Sequence, residues 1–301
     1  MSLHQFRFQA MGTCCELQLY ADSSRQARQV REQVTADVSR LEKKYSRYLE
    51  RSFLSEMNRC AGTGGSITVD EETAALLNYA DTCFRESGGL FDISSGVLEK
   101  LWRPDQHQRG LPNPMTIAGM LETVGWQKVR WSNPELGFSV PGMALDLGGI
   151  VKEYAADRAC TICREQGIRH GLINLGGDIA IVGPHADGTP WQIAIRHPMQ
   201  KDAALTTLAL SSGALASSGD YERCVIIDGR RYGHIINPLT GWPTRELVAV
   251  SVHADFCLVA GSAATIAMLK ETAGKRWLRQ LGLPHLWMDS AGRSRVNFTV
   301  R

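Results

Sequence analysis

The sequence has no apolar run approaching the roughly 18–20 residues of a membrane-spanning helix. It has no excess of either charge: 33 Lys and Arg stand against 31 Asp and Glu, a formal net charge of +2. The charges are mixed along the chain, which excludes the clustered basic face of a nucleic-acid surface. The first residues, "MSLHQFRFQAMGTCCELQLY", hold neither a long apolar signal segment nor a lipobox-like stretch before their cysteines. Among eight cysteines there is one CxxC, Cys160 to Cys163, with no second CxxC and no nearby histidine. That spacing argues against zinc and for small buried hydrophobes on one helix face. Mostly free thiols fit a reducing compartment, so a cytoplasmic location is expected. Low-complexity linkers are also missing, as are internal repeats beyond one short Leu-Gly-Gly echo.

What is present suits a globular enzyme-sized chain: 301 residues, 44% hydrophobic and 21% charged. Residues 6–20 alternate as a strand, interrupted at "AMGT". Residues 23–44 place Val30, Val34, Val38 and Leu41 at helical spacing behind a capping serine, and 70–87 form a second helix from Asp70. Three prolines make 103–116 an irregular loop. Strands are expected near 127–132 and 137–140, then at 171–175, 178–183, 191–195, 205–210, 223–228 and 247–253. A helix follows Gly148-Gly149 and ends at Gly167; a last helix spans 258–281, before a closing hairpin at 285–300. Runs of strands with interspersed long helices predict an α+β fold. We expect a single domain over 1–301, compact and open to a two-lobed form, with mixed sheets and packed helices.

Two glycine pairs stand within about thirty residues of each other. "MALDLGGIVKEYAADRA" is echoed by "INLGGDIAIVG", each setting a hydrophobic run beside a polar group and Gly-Gly. Such pairs let main-chain N–H groups approach a ligand that a Cβ would exclude, and they recur in phosphate cradles. They are also ordinary tight connections. A third glycine, in "SSGDY" with Ser217 and Ser218, precedes "GRRYGHIINPLTGWPT", where His234 stands between a strand and the rigid turn "NPLTG". A histidine so placed suits acid–base work, though a lone histidine is more often structural.

Seven stretches decide between these readings: "FQAMGT", "RYLERSFLSEMN", "GLFDISSGVLEKLW", "LDLGGIVKEYAAD", "INLGGDI", "SSGDYER" and "HIINPLTG". In order and approximate spacing they resemble the ApbE family, from about residue 6 to 270. The resemblance implies an α+β FAD:protein FMN transferase, which uses FAD to attach FMN to a Thr or Ser of an acceptor protein and releases AMP. It implies flavin contacts at Met11 and Tyr48, and FAD contacts at Phe91, Asp92, Ile93, Asp146, Lys152 and Ile235. It makes His234 the catalytic histidine. It also implies that the first Gly-Gly turn lines a pyrophosphate and metal site, while the second supports the adjoining strand.

The resemblance further implies Mg²⁺ held by an Asp and a Thr four residues apart on a helix, with an oxygen from the "LDLGG" turn at Gly149. Here the chain departs. "AGSAATI" keeps Thr265 but has Gly261 where the Asp belongs, and glycine offers no side-chain ligand. Glu153 stands where the family usually has Gly; it is expected as an exposed helix residue, with a carboxylate role as the alternative. Asp255 is the nearest upstream acid. Three activities follow as expectations: FMN transfer, FAD binding without efficient transfer because of Gly261, and hydrolysis of FAD to FMN and AMP.

Overall fold

A computed structural model of the chain describes residues 1–102, 110–200, 203–220 and 224–298. Its spine is a sheet of eight strands in the order β1-β2-β6-β7-β10-β13-β14-β15. Strands β1 (Ser2–Ala10) and β2 (Thr13–Ala21) are a hairpin, because the "AMGT" interruption is a two-residue turn at Met11 and Gly12, both at positive φ. The expected single strand over 6–20 is therefore two. A small sheet, β3-β5-β4, comprises β3 (Ser66–Thr68), β4 (Val129–Ser132) and β5 (Glu135–Phe138).

Strands β6 (Gly171–Leu175) and β7 (Asp178–Gly183) flank the second glycine pair. The hairpin β8 (Trp191–Arg196) and β9 (Ala204–Leu210) covers one face. Strand β10 (Ala214–Gly219) corrects the reading of "SSGDY" as a turn: Ser217, Ser218 and Gly219 pair with β13. Tyr221 to Arg223 of that motif, and the start of the strand expected at 223, lie outside the described residues. A further hairpin, β11 (Cys224–Ile227) with β12 (Arg230–Gly233), leads to His234. The sheet is completed by β13 (Leu247–Ala254), β14 (His285–Asp289) and β15 (Ser294–Asn297). Every pairing between these strands is antiparallel.

Helices cover one face. Helix α1 (Ser24–Tyr45) starts at Ser23, whose hydroxyl accepts from the Gln26 N–H, and buries the expected Val30, Val34, Val38 and Leu41. Helix α2 (Phe53–Thr63) follows within a stretch quoted only as a motif. Helix α3 (Glu71–Ser87) is capped by Asp70 and ends at Gly88 in the left-handed conformation. A 3₁₀ turn spans Gly96–Trp102. The loop expected over 103–116 is partly outside the described residues, and its end is helix α4 (Pro114–Leu121), where Asn113 caps and proline opens the first turn.

Helix α5 (Val151–Glu165) springs from the first glycine pair. The helix expected over 258–281 is two, α6 (Cys257–Leu269) and α7 (Thr272–Leu281), broken at Glu271, which has φ 51°. Helix α6 is buried nearly all round and has no cap of its own; Asp157 of α5 accepts from the N–H groups of Cys257 and Leu258 at 2.8 and 2.9 Å. The start of α6 is thereby fixed to α5. Among the described residues no helix is long and apolar enough to cross a membrane.

Candidate active site

The site forms where the Asp146–Gly149 turn passes into α5. Leu145 is held on both sides by Asn58 of α2, which accepts from its N–H at 2.7 Å and donates to its carbonyl at 3.0 Å. Asp146 then donates its N–H to the Ile93 carbonyl at 2.7 Å, joining "LDLGG" to "FDI". One Asp146 carboxylate oxygen accepts from the Gly148 N–H at 2.8 Å, and the other pairs with Arg47. Arg47 also reaches Glu99 at 3.0 Å and donates to the Tyr48 hydroxyl at 2.8 Å.

Four of the expected contact residues, Tyr48, Phe91, Ile93 and Asp146, are thus brought to one turn. A Cβ on Gly149 would lie 3.5 Å from the Phe91 ring, so the turn packs directly on that side chain. Neither Gly148 nor Gly149 has positive φ; what they provide is closeness rather than a left-handed backbone. Tyr48 is 74% exposed, and Phe91 and Ile93 are buried.

Asp92, between Phe91 and Ile93, is hydrogen-bonded within its own loop. Its carboxylate accepts from the Ser94 N–H and hydroxyl at 2.8 and 2.6 Å, and from the Trp126 N–H at 3.0 Å. Burial raises its pKa against these bonds. The side chain shapes the loop carrying Phe91 and Ile93.

The second cluster lies one step along α5. Lys152 pairs with Asp178, the first residue of β7, whose side chain is 2% exposed. Burial works to lower the Lys152 pKa, but the charges of Asp178 and Glu153 outweigh it and hold the ammonium above its ordinary value. Burial raises Asp178, with Lys152 and the Ser217 N–H acting against it. Thr265, on α6, shares a 2.8 Å hydrogen bond with the Ser218 hydroxyl of β10.

The expectation of an exposed Glu153 is overturned. Glu153 is 7% exposed, and its Oε2 has no hydrogen-bond partner among the described residues. It faces α6 at Gly261, where an added Cβ would meet its Cγ at 2.5 Å and its Oε1 at 2.9 Å. Space at Gly261 is taken by a carboxylate from the neighbouring helix. Burial and the nearby Asp178 charge raise its pKa. Asp255, the other acid considered, is exposed.

Met11 is fixed through its backbone, whose N–H donates to Glu42 of α1 at 2.7 Å. Beside it, Thr13 closes on Gly176 so tightly that a Cβ there would fall 2.4 Å from the Thr13 hydroxyl. The second glycine pair therefore supports strand packing, with Gly176 and Gly177 at positive φ and Asp178 directly after them. His234 is exposed and follows β12, while Ile235 is buried. The Ile235 carbonyl accepts from the Thr244 N–H at 2.9 Å, and Trp102 donates to the Gly241 carbonyl at 2.9 Å. His234 is thus held on a hairpin that packs on the 3₁₀ turn carrying Glu99.

Arg47 and Asp178 escaped sequence reasoning although both lie inside quoted motifs, "RYLERSFLSEMN" and "INLGGDI". Among the described residues no group of three His, Cys, Asp or Glu side chains is placed to hold a metal. All eight cysteines are free thiols, and Cys160 and Cys163 are buried as their spacing predicts.

The model of the ApbE family matches residues 11–287. The chain is similar to two FAD:protein FMN transferases of Klebsiella pneumoniae (strain 342). One is 31% identical over 250 residues, covering 80% of this chain and 74% of the relative. The other is 27% identical over 282 residues, covering 91% and 80%. The crystal structure of the ApbE protein from Thermotoga maritima matches with a TM-score of 0.89 at 29% identity, covering 99% of this chain and 98% of that one. With the motifs, the fold and these relatives in agreement, the chain belongs to the ApbE family.

Proposed function

We propose that this protein is a FAD:protein FMN transferase, moving FMN from FAD to a Thr or Ser hydroxyl of an acceptor protein with release of AMP. The observation that carries this reading is the Asp146–Gly149 turn feeding an α5 N-terminus that has no side-chain cap, beside the half-buried Lys152 paired with the buried Asp178. The Ile150 and Val151 N–H groups turn back onto the Leu147 carbonyl, and the helix dipole at that end favours a pyrophosphate. Lys152 adds a positive charge whose position Asp178 fixes.

The flavin-side contacts in this reading are Met11, Tyr48, Phe91, Ile93 and Ile235, with Asp92 shaping their loop. Asp146 and Lys152 serve the phosphates and their surroundings. The acceptor oxygen forms a bond to the FMN phosphorus as the phosphoanhydride bond to AMP breaks, and AMP leaves with the bridging oxygen. The acceptor's proton needs a base, and His234 is assigned that role.

The donor set beside α6 fits a hard cation, since it is made of oxygen atoms and includes one buried carboxylate oxygen without a partner. Thr265 and the Gly149 main-chain oxygen would hold Mg²⁺ there. When bound, it supplies positive charge against the phosphate oxygens of the transition state. A cytoplasmic location belongs to the same reading and draws on the free thiols.

The test is incubation with FAD, Mg²⁺ and Thr-containing candidate acceptor peptides, followed by in-gel flavin fluorescence. Covalent fluorescence on a peptide is expected. Protein that retains FAD but labels no acceptor tested, including acceptors already shown to take FMN, counts against the proposal.

A further inference from the structure

Helix α6 carries a glycine at its fifth position, Gly261, where nothing in the helix backbone requires one. Interior glycine weakens a helix, so its presence calls for a packing reason. The reason is on the neighbouring helix: any Cβ at 261 would collide with the Glu153 side chain, down to 2.5 Å from its Cγ. Glycine here makes a recess, and Glu153 fills it.

What Glu153 brings into the recess is unbalanced. Its Oε2 is buried without a partner. Asp178, also buried, is paired with the Lys152 ammonium. That ammonium is engaged by Asp178, and among the described residues no ion pair reaches Glu153. A buried carboxylate normally has a partner cation or a set of donors, because burial otherwise costs more than the fold recovers. Oxygen donors also stand nearby on α6 itself, where Thr265 lies one helical turn after Gly261 and touches the Ser218 hydroxyl.

We propose that Glu153 is a divalent-cation ligand of this protein, reaching across from α5 into the recess at Gly261 and acting with Thr265 of α6. In this arrangement the carboxylate and hydroxyl come from two helices instead of from one helix at i and i+4. The cation's role in transfer rests on the transferase reading above, whereas the ligand assignment rests on the geometry of the recess. Gly261 then marks a relocated carboxylate rather than a missing one.

The experiment measures Mn²⁺ binding by electron paramagnetic resonance, and FAD retention by flavin fluorescence, on the same full-length samples. Four proteins are compared: wild type, Glu153→Gln, the exchange Glu153→Gly with Gly261→Asp, and Asp255→Asn. Wild type and Asp255→Asn are expected to bind Mn²⁺ alike in the presence of FAD. Glu153→Gln should bind at least tenfold more weakly, and the exchange should recover most of that loss by returning a carboxylate from the α6 side. As a second readout, Mn²⁺ should raise the Tm of wild type but not of Glu153→Gln.

Unchanged Mn²⁺ affinity in Glu153→Gln overturns the inference, as does a wild type that retains FAD yet binds no Mn²⁺. Either result leaves the transferase reading standing if FMN is still transferred. Conversely, Glu153-dependent Mn²⁺ binding by a protein that never retains FAD supports the ligand assignment and counts against the transferase reading.

Discussion

At the scale of single residues, the pair Glu153 and Gly261 reverses a plain expectation. Read from the sequence, Gly261→Asp should restore a carboxylate one turn before Thr265 and remove a glycine from a helix, a gain of up to about 1 kcal/mol. In the folded protein the new Cβ would lie 2.5 Å from the Glu153 Cγ, and Asp would bring a second charge against a carboxylate that is already buried. Overpacking of this kind typically costs about 1–3 kcal/mol. Gly261→Asp alone should therefore lower the Tm, measured by thermal denaturation, and an unchanged or higher Tm would contradict the packing account.

The burial of Glu153 is written in the sequence pattern of its helix. Glu153, Ala156, Cys160 and Cys163 share one stripe at helical spacing, and the two cysteines were already expected to be buried. Residue type drew the glutamate to the surface; its position put it inside. For His234 the expectation is a His234→Ala variant that retains FAD and loses about 10²–10⁴ in turnover, as when a general base is removed. Turnover within threefold of wild type would return His234 to a structural role.

Between elements, charge ties α1 to α3. Arg40 and Lys44 of α1 converge on Glu72 of α3 at 2.7 and 2.9 Å. The Arg40 hydrogen bond first, and Lys44 after it, hold the Glu72 carboxyl down at about 2, against the opposing effect of burial. A folded-state pKa below the unfolded one means the stabilisation is present above about 4.5 and is lost as pH falls toward 2. All three side chains are partly exposed, so solvent screening keeps the effect modest. Glu72→Gln should be less stable than wild type at pH 7, and the difference should shrink on acidification through that window. A difference independent of pH would show that the ion pairs contribute nothing.

Elements with a repeating apolar stripe or a capping residue were legible: α1 behind Ser23 and α3 behind Asp70 lie where the pattern puts them. Helix α6 was legible in position but not in extent. Its continuation into α7 is broken by a backbone strain at Glu271 that hydrophobic periodicity does not carry. Strand β10 was hidden for a related reason: Ser217, Ser218 and Gly219 have turn-like composition, and only pairing with β13 makes them strand.

For the whole molecule, one apolar cluster runs from Ala10 through α1, α5 and α6 to Leu278, and the site's turns rise from its edge. Order along the chain revealed the family, because motifs far apart in sequence meet at that edge. It could not reveal which side chains partner one another there: Arg47 with Asp146, or Lys152 with Asp178, are facts of packing. Because the proposed contacts are distributed from Met11 to Ile235, both halves of a dinucleotide should be recognised. FAD should thus bind more tightly than FMN or riboflavin by calorimetry, and should raise the Tm more at equal concentration. Equal affinity for FAD and riboflavin would reduce the site to a flavin-ring pocket.

The central claim is that FAD is divided here, with FMN going to a protein hydroxyl. It is tested most directly by counting both products of one reaction with an acceptor protein in excess. AMP is measured by chromatography, and flavin attached to the acceptor by mass spectrometry. The account predicts one AMP released for each FMN attached, with both products falling together in His234→Ala. AMP and free FMN accumulating without labelled acceptor would make the protein a hydrolase, and FAD held with neither product formed would make it a carrier; either result contradicts the account.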